Sequence, residues 1–492
     1  MFKLKSLNLK SMKSLHRKKF NRRDFIKGSS LAAAGFIIVP RYVLGGNGFI
    51  SPSDKLNIAA VGAGGRGAGV INEMYKEGLN NIVALCDVDD RQSANTYNKH
   101  PNAPKYKDFR VMLDKQKDID AITVAIPDHS HAVVALSAMA SGKHVYVEKP
   151  LAHDVYEVRM MTEMARKNKL ATQMGNQGAS GAGTWQTVKW IESGVIGEIT
   201  NVHCWTNRPI WPQGIPTPTE KHPIPAELDW NLWLGPSKMR DYNSGYLPFK
   251  WRGWWDFGTG ALGDMACHIV DVVVRSIKLG HPDSVEASVT EQYVADFKEA
   301  IFDDSCPMAC KVVFHFPDRG TGLPPVKLTW YDGGILPDRP AELGPDDPMG
   351  SWDGGVIFEG TKGKIMTECY GNNPVLLPKS LMEENAAPSD ETPVKDGHYQ
   401  SWVNACKGGE PAVSNFDISG PLSEIILMGN LAIRSFGIRE LKPGRKYGDW
   451  APFNYPGRKQ LMWDGANMKI TNFDEANQFV KREYREGWNL PV

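Results

Sequence analysis

From Leu56 onward, short apolar runs alternate with longer stretches in which apolar residues recur at helical spacing, the pattern of strand-helix-strand units in a parallel sheet. Leu56–Val61, Ile82–Cys86, Ala121–Ala125 and His144–Val147 read as strands, with Ala171–Met174 as a further one. Helices are expected near Arg66–Lys76, Ser130–Ser141 and Val155–Lys167, and the block ends near residue 175. The pattern then changes. Loops rich in Trp (Trp205, Trp211, Trp230, Trp233, Trp251, Trp254, Trp255) precede one helix near Ala261–Ile277. Period-two alternation follows at Lys311–Phe316, Val326–Tyr331, Val356–Glu359 and Lys364–Thr367, which suits an antiparallel sheet with one wet face. A Pro/Gly-rich connection runs from Asp318 to Gly355 around the Val326–Tyr331 strand, and a helical return follows through Tyr399–Cys406 and Leu422–Ser435.

At 492 residues the chain exceeds what one core organises, so two domains are expected. The first is an α/β Rossmann domain over about residues 55–175. The second, over 176–492, is an α+β domain with a large, mostly antiparallel open sheet, the helical return and a tail.

Charge changes the picture at the N-terminus. Residues 1–45 hold 11 of the 57 Lys and Arg but one acid, Asp24, which leaves 46 basic against 55 acidic side chains in the rest. An acidic body offers no footprint for phosphate backbones, and no nucleic-acid partner is expected. The segment Asn21-Arg22-Arg23-Asp24-Phe25-Ile26-Lys27, followed by an apolar run from Leu31 to Leu44, resembles a twin-arginine export signal, with cleavage expected near Gly45 and a periplasmic destination. That run falls short of the ~20 residues that span a bilayer, so no stable membrane span is expected. The seven Cys form an odd, sparse set without the character of a disulfide framework. Cys306 and Cys310 with His315 lack zinc-knuckle spacing; burial or one local disulfide is the expected state, and no metal site is expected.

Candidate chemistry begins directly after the first strand. Gly62-Ala63-Gly64-Gly65-Arg66-Gly67 has the spacing Gly-x-Gly-x-x-Gly: Gly62 for a tight turn, Gly64 for backbone approach to a pyrophosphate and Gly67 for close helix packing. Asp87 ends the second strand 20 residues after Gly67, where a carboxylate accepts hydrogen bonds from ribose hydroxyls and repels a 2′-phosphate. NAD is therefore the expected cofactor, with NADP an alternative that Arg66 or Arg91 would accommodate. Glu148-Lys149-Pro150 stands at the end of the fourth strand, where open α/β sheets place ligands, although such a tripeptide alone reads as a surface turn. Asp264 and His268 lie four residues apart on one helix face, a spacing that serves a core contact, a metal or proton transfer. The aromatic segment from Trp205 to Trp255, with Arg208 and Arg252 interleaved, suits a sugar platform, and core packing is its alternative.

Taken in order, the glycine turn, Asp87, Ala125-Ile126-Pro127-Asp128-His129-Ser130-His131, Glu148-Lys149-Pro150 and Asp264-x-x-x-His268-x-x-Asp271 resemble the Gfo/Idh/MocA family of glucose-fructose oxidoreductases and inositol dehydrogenases. The resemblance covers about Leu56 to Ser435. It implies that Lys149, Asp264 and His268 flank the substrate carbon beside the nicotinamide. His268 would take the hydroxyl proton, Lys149 would stabilise charge on the oxygen, and Asp264 would orient His268 or bind a neighbouring hydroxyl. Gly62, Gly64, Gly65, Arg66, Gly67, Asp87, Pro127, His131, Glu148 and Gln177 would contact the cofactor. Asp128, Arg208, Trp255 and Tyr331 are candidate substrate contacts. The chain departs from the family's helix pattern at Thr259, Gly263 and Ala266, and has Asp128 where many relatives have Asn.

The function implied is an NAD(P)-dependent sugar oxidoreductase with tightly bound nucleotide, forming homo-oligomers through the open sheet. An NAD-dependent glycosidase or lyase, working by transient oxidation and elimination, is the alternative. The resemblance implies loss of the helix Asp in those glycosidases, whereas Asp264 is present here. A non-catalytic scaffold is the third reading, and the intact Lys149, Asp264 and His268 oppose it.

Overall fold

The protein is described here by a computed structural model covering residues 51, 54–320, 323–386, 388–389 and 391–492. The export segment expected over residues 1–45 lies outside the described residues.

Six strands, β1 (Asn57–Val61), β2 (Asn81–Cys86), β3 (Lys105–Tyr106), β4 (Ala121–Val124), β5 (His144–Val147) and β6 (Thr172–Met174), form one sheet in the order β3-β2-β1-β4-β5-β6. All its pairs are parallel. The apolar runs are continuous because both faces are covered. Ile58, with Val70 and Met74 of α1 (Gly65–Tyr75), packs with Trp402 and Val403 of a helix far downstream, whereas Ala59 and Val61 face the other way into the main core.

The helices between these strands are α2 (Asp90–Lys99), α3 (Phe109–Lys115), α4 (His131–Ala140) and α5 (Val155–Asn168). Asp89, Asp108 and Asp154 open α2, α3 and α5 by accepting from backbone N–H groups in the first turn. The apolar pattern predicts neither α2 nor α3. In α2 only Ser93, Thr96 and Tyr97 are buried, so it carries no apolar stripe, and α3 is seven residues long.

Past α6 (Ala182–Glu192) and β7 (Ile199–Thr206), the short helix α7 (Trp230–Leu234) lies within the Trp-rich segment, which leads to α8 (Gly260–Ile277). β8 (Ser284–Val289), a small hairpin of β9 (Tyr293–Ala295) and β10 (Lys298–Glu299), then β11 (Cys310–Phe316), β12 (Val326–Tyr331), β13 (Gly354–Gly360), β14 (Lys364–Glu368) and β15 (Val375–Leu377) follow. The helical return comprises α9 (Lys379–Glu384), α10 (His398–Cys406) and α11 (Phe416–Phe436). The remaining strands are β16 (Glu440–Leu441), β17 (Phe453–Asn454), β18 (Leu461–Asp464) and β19 (Lys469–Ile470).

The second sheet has nine strands in the order β15-β14-β13-β7-β12-β11-β8-β18-β19. Its pairs are antiparallel except β7 with β12. Val202, Cys204, Val312, Phe314, Leu328, Trp330, Val356 and Phe358 point from it into the core with α8 and α11. The opposite face is only partly wet. Trp205, Ile357, Met366 and Leu377 are buried there beneath Leu343 and Met349 of the 332–353 connection, while Lys311 stays exposed.

The Trp-rich segment is largely core. Trp230, Trp233, Tyr242, Tyr246, Trp251, Trp254 and Phe257 form one buried aromatic cluster, with Trp230 stacked on Trp233 at 4.8 Å. Cys306 and Cys310 are both free and buried, and among the described residues no group of His, Cys, Asp and Glu is arranged to hold a metal.

Candidate active site

A cleft of about 600 Å³ opens at the carboxyl ends of the first sheet's strands. The glycine turn forms its floor. Gly62, at φ +90°, stands where a Cβ would lie 2.2 Å from the Ala125 carbonyl oxygen, and a Cβ on Gly67 would meet the Gly62 carbonyl at 2.1 Å. No side chain fits at either position, so α1 starts hard against the turn. At Gly64 the neighbour is Gln92 of α2, 2.7 Å from a would-be Cβ, so this glycine serves protein packing as well as approach by a ligand.

Asp87 is half-buried and holds the turn in place. Its Oδ2 accepts from the amides of Ala63 (2.8 Å) and Gly64 (3.2 Å), and its Oδ1 accepts from the Asp89 amide (2.9 Å). Burial raises its pKa, against the pull of these three bonds. Arg66 and Arg91 are not free for a 2′-phosphate: Arg66 pairs with Glu148 at 2.9 Å and donates to the Tyr399 hydroxyl, and Arg91 pairs with Asp89 at 2.6 Å.

The donor set fits a dinucleotide. Gly64, Gly65 and Arg66 line the cleft at the start of α1, where first-turn amides lack intrahelical partners, and a Cβ on Gly65 would meet nothing within 4 Å. Asp87, Pro127, Glu148 and Gln177 line the same cleft. A bound nicotinamide there supplies a hydride acceptor or donor. His131 corrects the expectation. It does not line the cleft, and its two ring nitrogens lie 2.8 Å from the carbonyl oxygens of Pro150 and Ile126, so it ties the Pro127 turn to the Lys149 turn from behind.

Lys149, Asp128 and His268 line the cleft too, and Asp264 reaches it through Lys149. Asp264 and His268 stand four residues apart on the buried α8 and so share one face, Asp264 meeting Lys149 and His268 lining the cleft. The Lys149 ammonium donates to Asp264 Oδ1 and to the Asp264 carbonyl, both at 2.7 Å, and Arg252 Nε lies 3.2 Å from the same Oδ1. Asp264 therefore positions two cations rather than orienting His268. Burial opposes its ionisation, but Lys149 and Arg252 outweigh burial and hold the carboxyl well below the usual range.

Burial, reinforced by the Lys149 charge, pushes the His268 pKa well down and keeps the imidazole neutral. Its Nδ1 has no hydrogen-bond partner, and its ring lies 4.6 Å from that of Tyr370. Asp128 is buried and accepts from the Thr259 hydroxyl at 2.8 Å. Burial pushes its carboxyl up to about 7, although Arg252, the Thr259 bond and Lys149 favour the ionised form. The site thus combines a fixed cation, a neutral imidazole and a carboxyl poised near neutrality, a set able to move a proton to or from a hydroxyl.

The other substrate candidates lie elsewhere. Trp255 lines a separate cavity of about 520 Å³, against Arg434. Tyr331 stacks on His203 on the second sheet's far face, because β12 turns alternate residues away from α8. Arg208 pairs with Asp353 and lies over Trp352, outside the cleft wall.

Three wall residues escaped the sequence reading as site residues. Arg252 was visible only as one of the Arg interleaved with Trp. Tyr370 sits at φ +65°, a left-handed conformation costly for a bulky side chain, beside His268. Trp488 carries no motif at all.

The family described as "Oxidoreductase family, NAD-binding Rossmann fold" matches residues 56–176, and its companion, "Oxidoreductase family, C-terminal alpha/beta domain", matches residues 186–303. A glycosyl hydrolase family 109 protein of Shewanella pealeana is 28% identical over 206 residues, 37% of this chain and 44% of the relative. A levoglucosan dehydrogenase of Pseudarthrobacter phenanthrenivorans is 29% identical over 166 residues, 34% of each chain. The alignments therefore span less than half the length of these curated relatives. Among solved structures, the WlbA dehydrogenase of Bordetella pertussis, in complex with NADH and UDP-GlcNAcA, superposes with a TM-score of 0.52 at 18% identity, covering 77% of this chain and 97% of that one. An oxidoreductase domain protein of Kribbella flavida gives the same TM-score, identity and coverage. At such identities the likeness is one of fold. With the glycine turn, Lys149 and His268 gathered in one cleft, residues 56–176 form an NAD-binding Rossmann domain of the Gfo/Idh/MocA oxidoreductase family, and residues 186–303 match that family's C-terminal alpha/beta domain.

Proposed function

We propose that this protein moves hydride between a secondary hydroxyl of a sugar or sugar derivative and an NAD that it keeps bound. The observation carrying this reading is the Lys149–Asp264 pair at 2.7 Å, in a cleft shared by the glycine turn and the neutral His268. An alcohol losing hydride must also lose its hydroxyl proton. His268, a neutral imidazole lining the cleft, accepts that proton, while the Lys149 ammonium, steered by Asp264, stabilises the negative charge developing on the oxygen. The dehydrogenase names among the relatives support a sugar substrate, and the glycosyl hydrolase names support the alternative, in which oxidation at one carbon acidifies its neighbour, elimination breaks the glycosidic bond and the hydride returns. Retention of Asp264 favours net oxidoreduction.

The proposal extends to place and cycle. The Arg22-Arg23 segment directs folded protein across the membrane with nucleotide already loaded, and each cycle closes by passing hydride to a second sugar or back to the first. The test is to purify the protein without added nucleotide, dialyse it, denature it and identify what is released. Mixtures of sugars are then mixed with the native protein while bound coenzyme is monitored. Retained NAD that one sugar reduces and another reoxidises supports the reading. An empty protein that turns over only with stoichiometric added NAD contradicts the closed cycle, and release of a fragment from a glycoside without net reduction selects the elimination alternative.

A further inference from the structure

We propose that the segment Val480–Trp488 is a strap that closes over the adenosine half of the bound nucleotide, with Trp488 as the aromatic wall for adenine. This rests on the nucleotide reading above. In a doubly wound sheet the pyrophosphate lies at the glycine turn and the adenosine ribose at the end of β2. The wall beyond Asp87 and Val88 therefore faces adenine, and here it consists of Phe109, Val134 and Trp488. Trp488 comes from the far end of the chain yet lies in the main core, its ring 6.3 Å from Phe109 and 4.3 Å from the Arg110 guanidinium.

The strap is anchored at several points leading up to that ring. Arg482 donates to Glu157 Oε1 from Nη2 (2.6 Å) and Nε (2.9 Å), and also to the His129 carbonyl. Its backbone amide donates to Asp154 Oδ2 at 3.2 Å, and the Tyr156 amide donates to the Val480 carbonyl at 3.1 Å. Glu157 is fully buried, so lifting the strap would strand a carboxylate without its cation. Further along, Arg485 binds the carbonyls of Gly235 (2.9 Å) and Asn231 (2.9 Å), and Arg110 reaches the Gly487 carbonyl at 3.3 Å.

A second piece of chain is stitched over the same end of the cleft. The Asp229 amide donates to the Val88 carbonyl (2.9 Å), and Glu227 O accepts from the Asp90 amide (3.3 Å) and from Lys107 (2.9 Å). An adenosine lying there is held between two covers from different parts of the sequence, and slow release follows from the contacts that must break first.

NADH dissociation from the full chain, followed by loss of tryptophan-to-NADH energy transfer in stopped flow, tests this, with affinities for ADP-ribose and reduced nicotinamide mononucleotide measured alongside. Stacking on an aromatic residue contributes about 10- to 100-fold per base. Trp488→Ala should therefore release NADH about 10- to 100-fold faster and weaken ADP-ribose to match, leaving the mononucleotide unchanged, while Trp488→Phe retains most of the binding. NADH and ADP-ribose held as tightly by Trp488→Ala as by the wild type would overturn the strap alone. An equal loss for the mononucleotide would overturn it as well, by exposing general damage to the cleft. A wild type that binds none of the three overturns the nucleotide reading and the strap with it.

Discussion

Lys149 sets the charge of the cleft, since it holds Asp264 ionised, helps keep His268 neutral and lowers the pKa of Asp128. Lys149→Ala and His268→Ala should each slow single-turnover reduction of bound NAD by about 10²- to 10⁴-fold, with nucleotide affinity within about threefold of wild type. A wild-type rate in either variant removes that residue from the chemistry. Asp128 supplies the pH dependence. Its carboxyl binds a proton more tightly in the folded protein than in the unfolded chain, so its contribution to stability is full below the ordinary carboxyl value and is lost as pH rises through about 7. Relative to wild type, Asp128→Asn should therefore gain thermal stability between about pH 4 and 7 and level off above that. A difference in melting temperature that stays flat over that range would mean that Asp128 ionises like a surface carboxyl.

At the scale of elements, the turn between β1 and α1 has the least room for change. A Cβ on residue 67 falls 2.1 Å from the Gly62 carbonyl oxygen, in a turn that Asp87 fastens through the Ala63 and Gly64 amides. Gly67→Ala should destabilise the fold by about 1–3 kcal/mol, as overpacking does, and weaken NAD by at least about tenfold as α1 slides from its seat. Denaturant unfolding and nucleotide titration together check this, and a variant unchanged in both would show that the helix start can shift freely. Five strands of the first sheet were legible because they are apolar runs bounded by turn residues, whereas β3 was not, being two residues long with Lys105 exposed and Tyr106 half-buried. The helices α2 and α3 were not, because one buries polar side chains and the other is too short to show a period.

Across the whole molecule, seven cysteines are free, and burial raises the pKa of every one of them. Six are buried and Cys406 is half-buried. The thiolate is the reactive form, so a disulfide-exchanging reagent should label fewer than about one thiol per native chain rapidly and all of them after denaturation. Fewer thiols in the denatured, unreduced protein would reveal a disulfide, with Cys306 and Cys310 the pair to examine. This burial also suits an oxidising compartment, the destination proposed for the chain.

Local pattern and spacing were enough to specify the two-domain organisation, the parallel first sheet, the period-two strands of the second, and the order of Gly62, Asp87, Lys149, Asp264 and His268, because each depends on residues close in sequence. Only the tertiary structure decided how those residues are used. It gave the Asp264 carboxylate to Lys149 and Arg252, turned His131 behind the cleft, sent Trp255 and Tyr331 to other surfaces, and brought Tyr370 and Trp488 into the wall. A side chain's partner is set by which elements pack together. Contacts between residues hundreds of positions apart leave no period, spacing or composition in the chain that forms them.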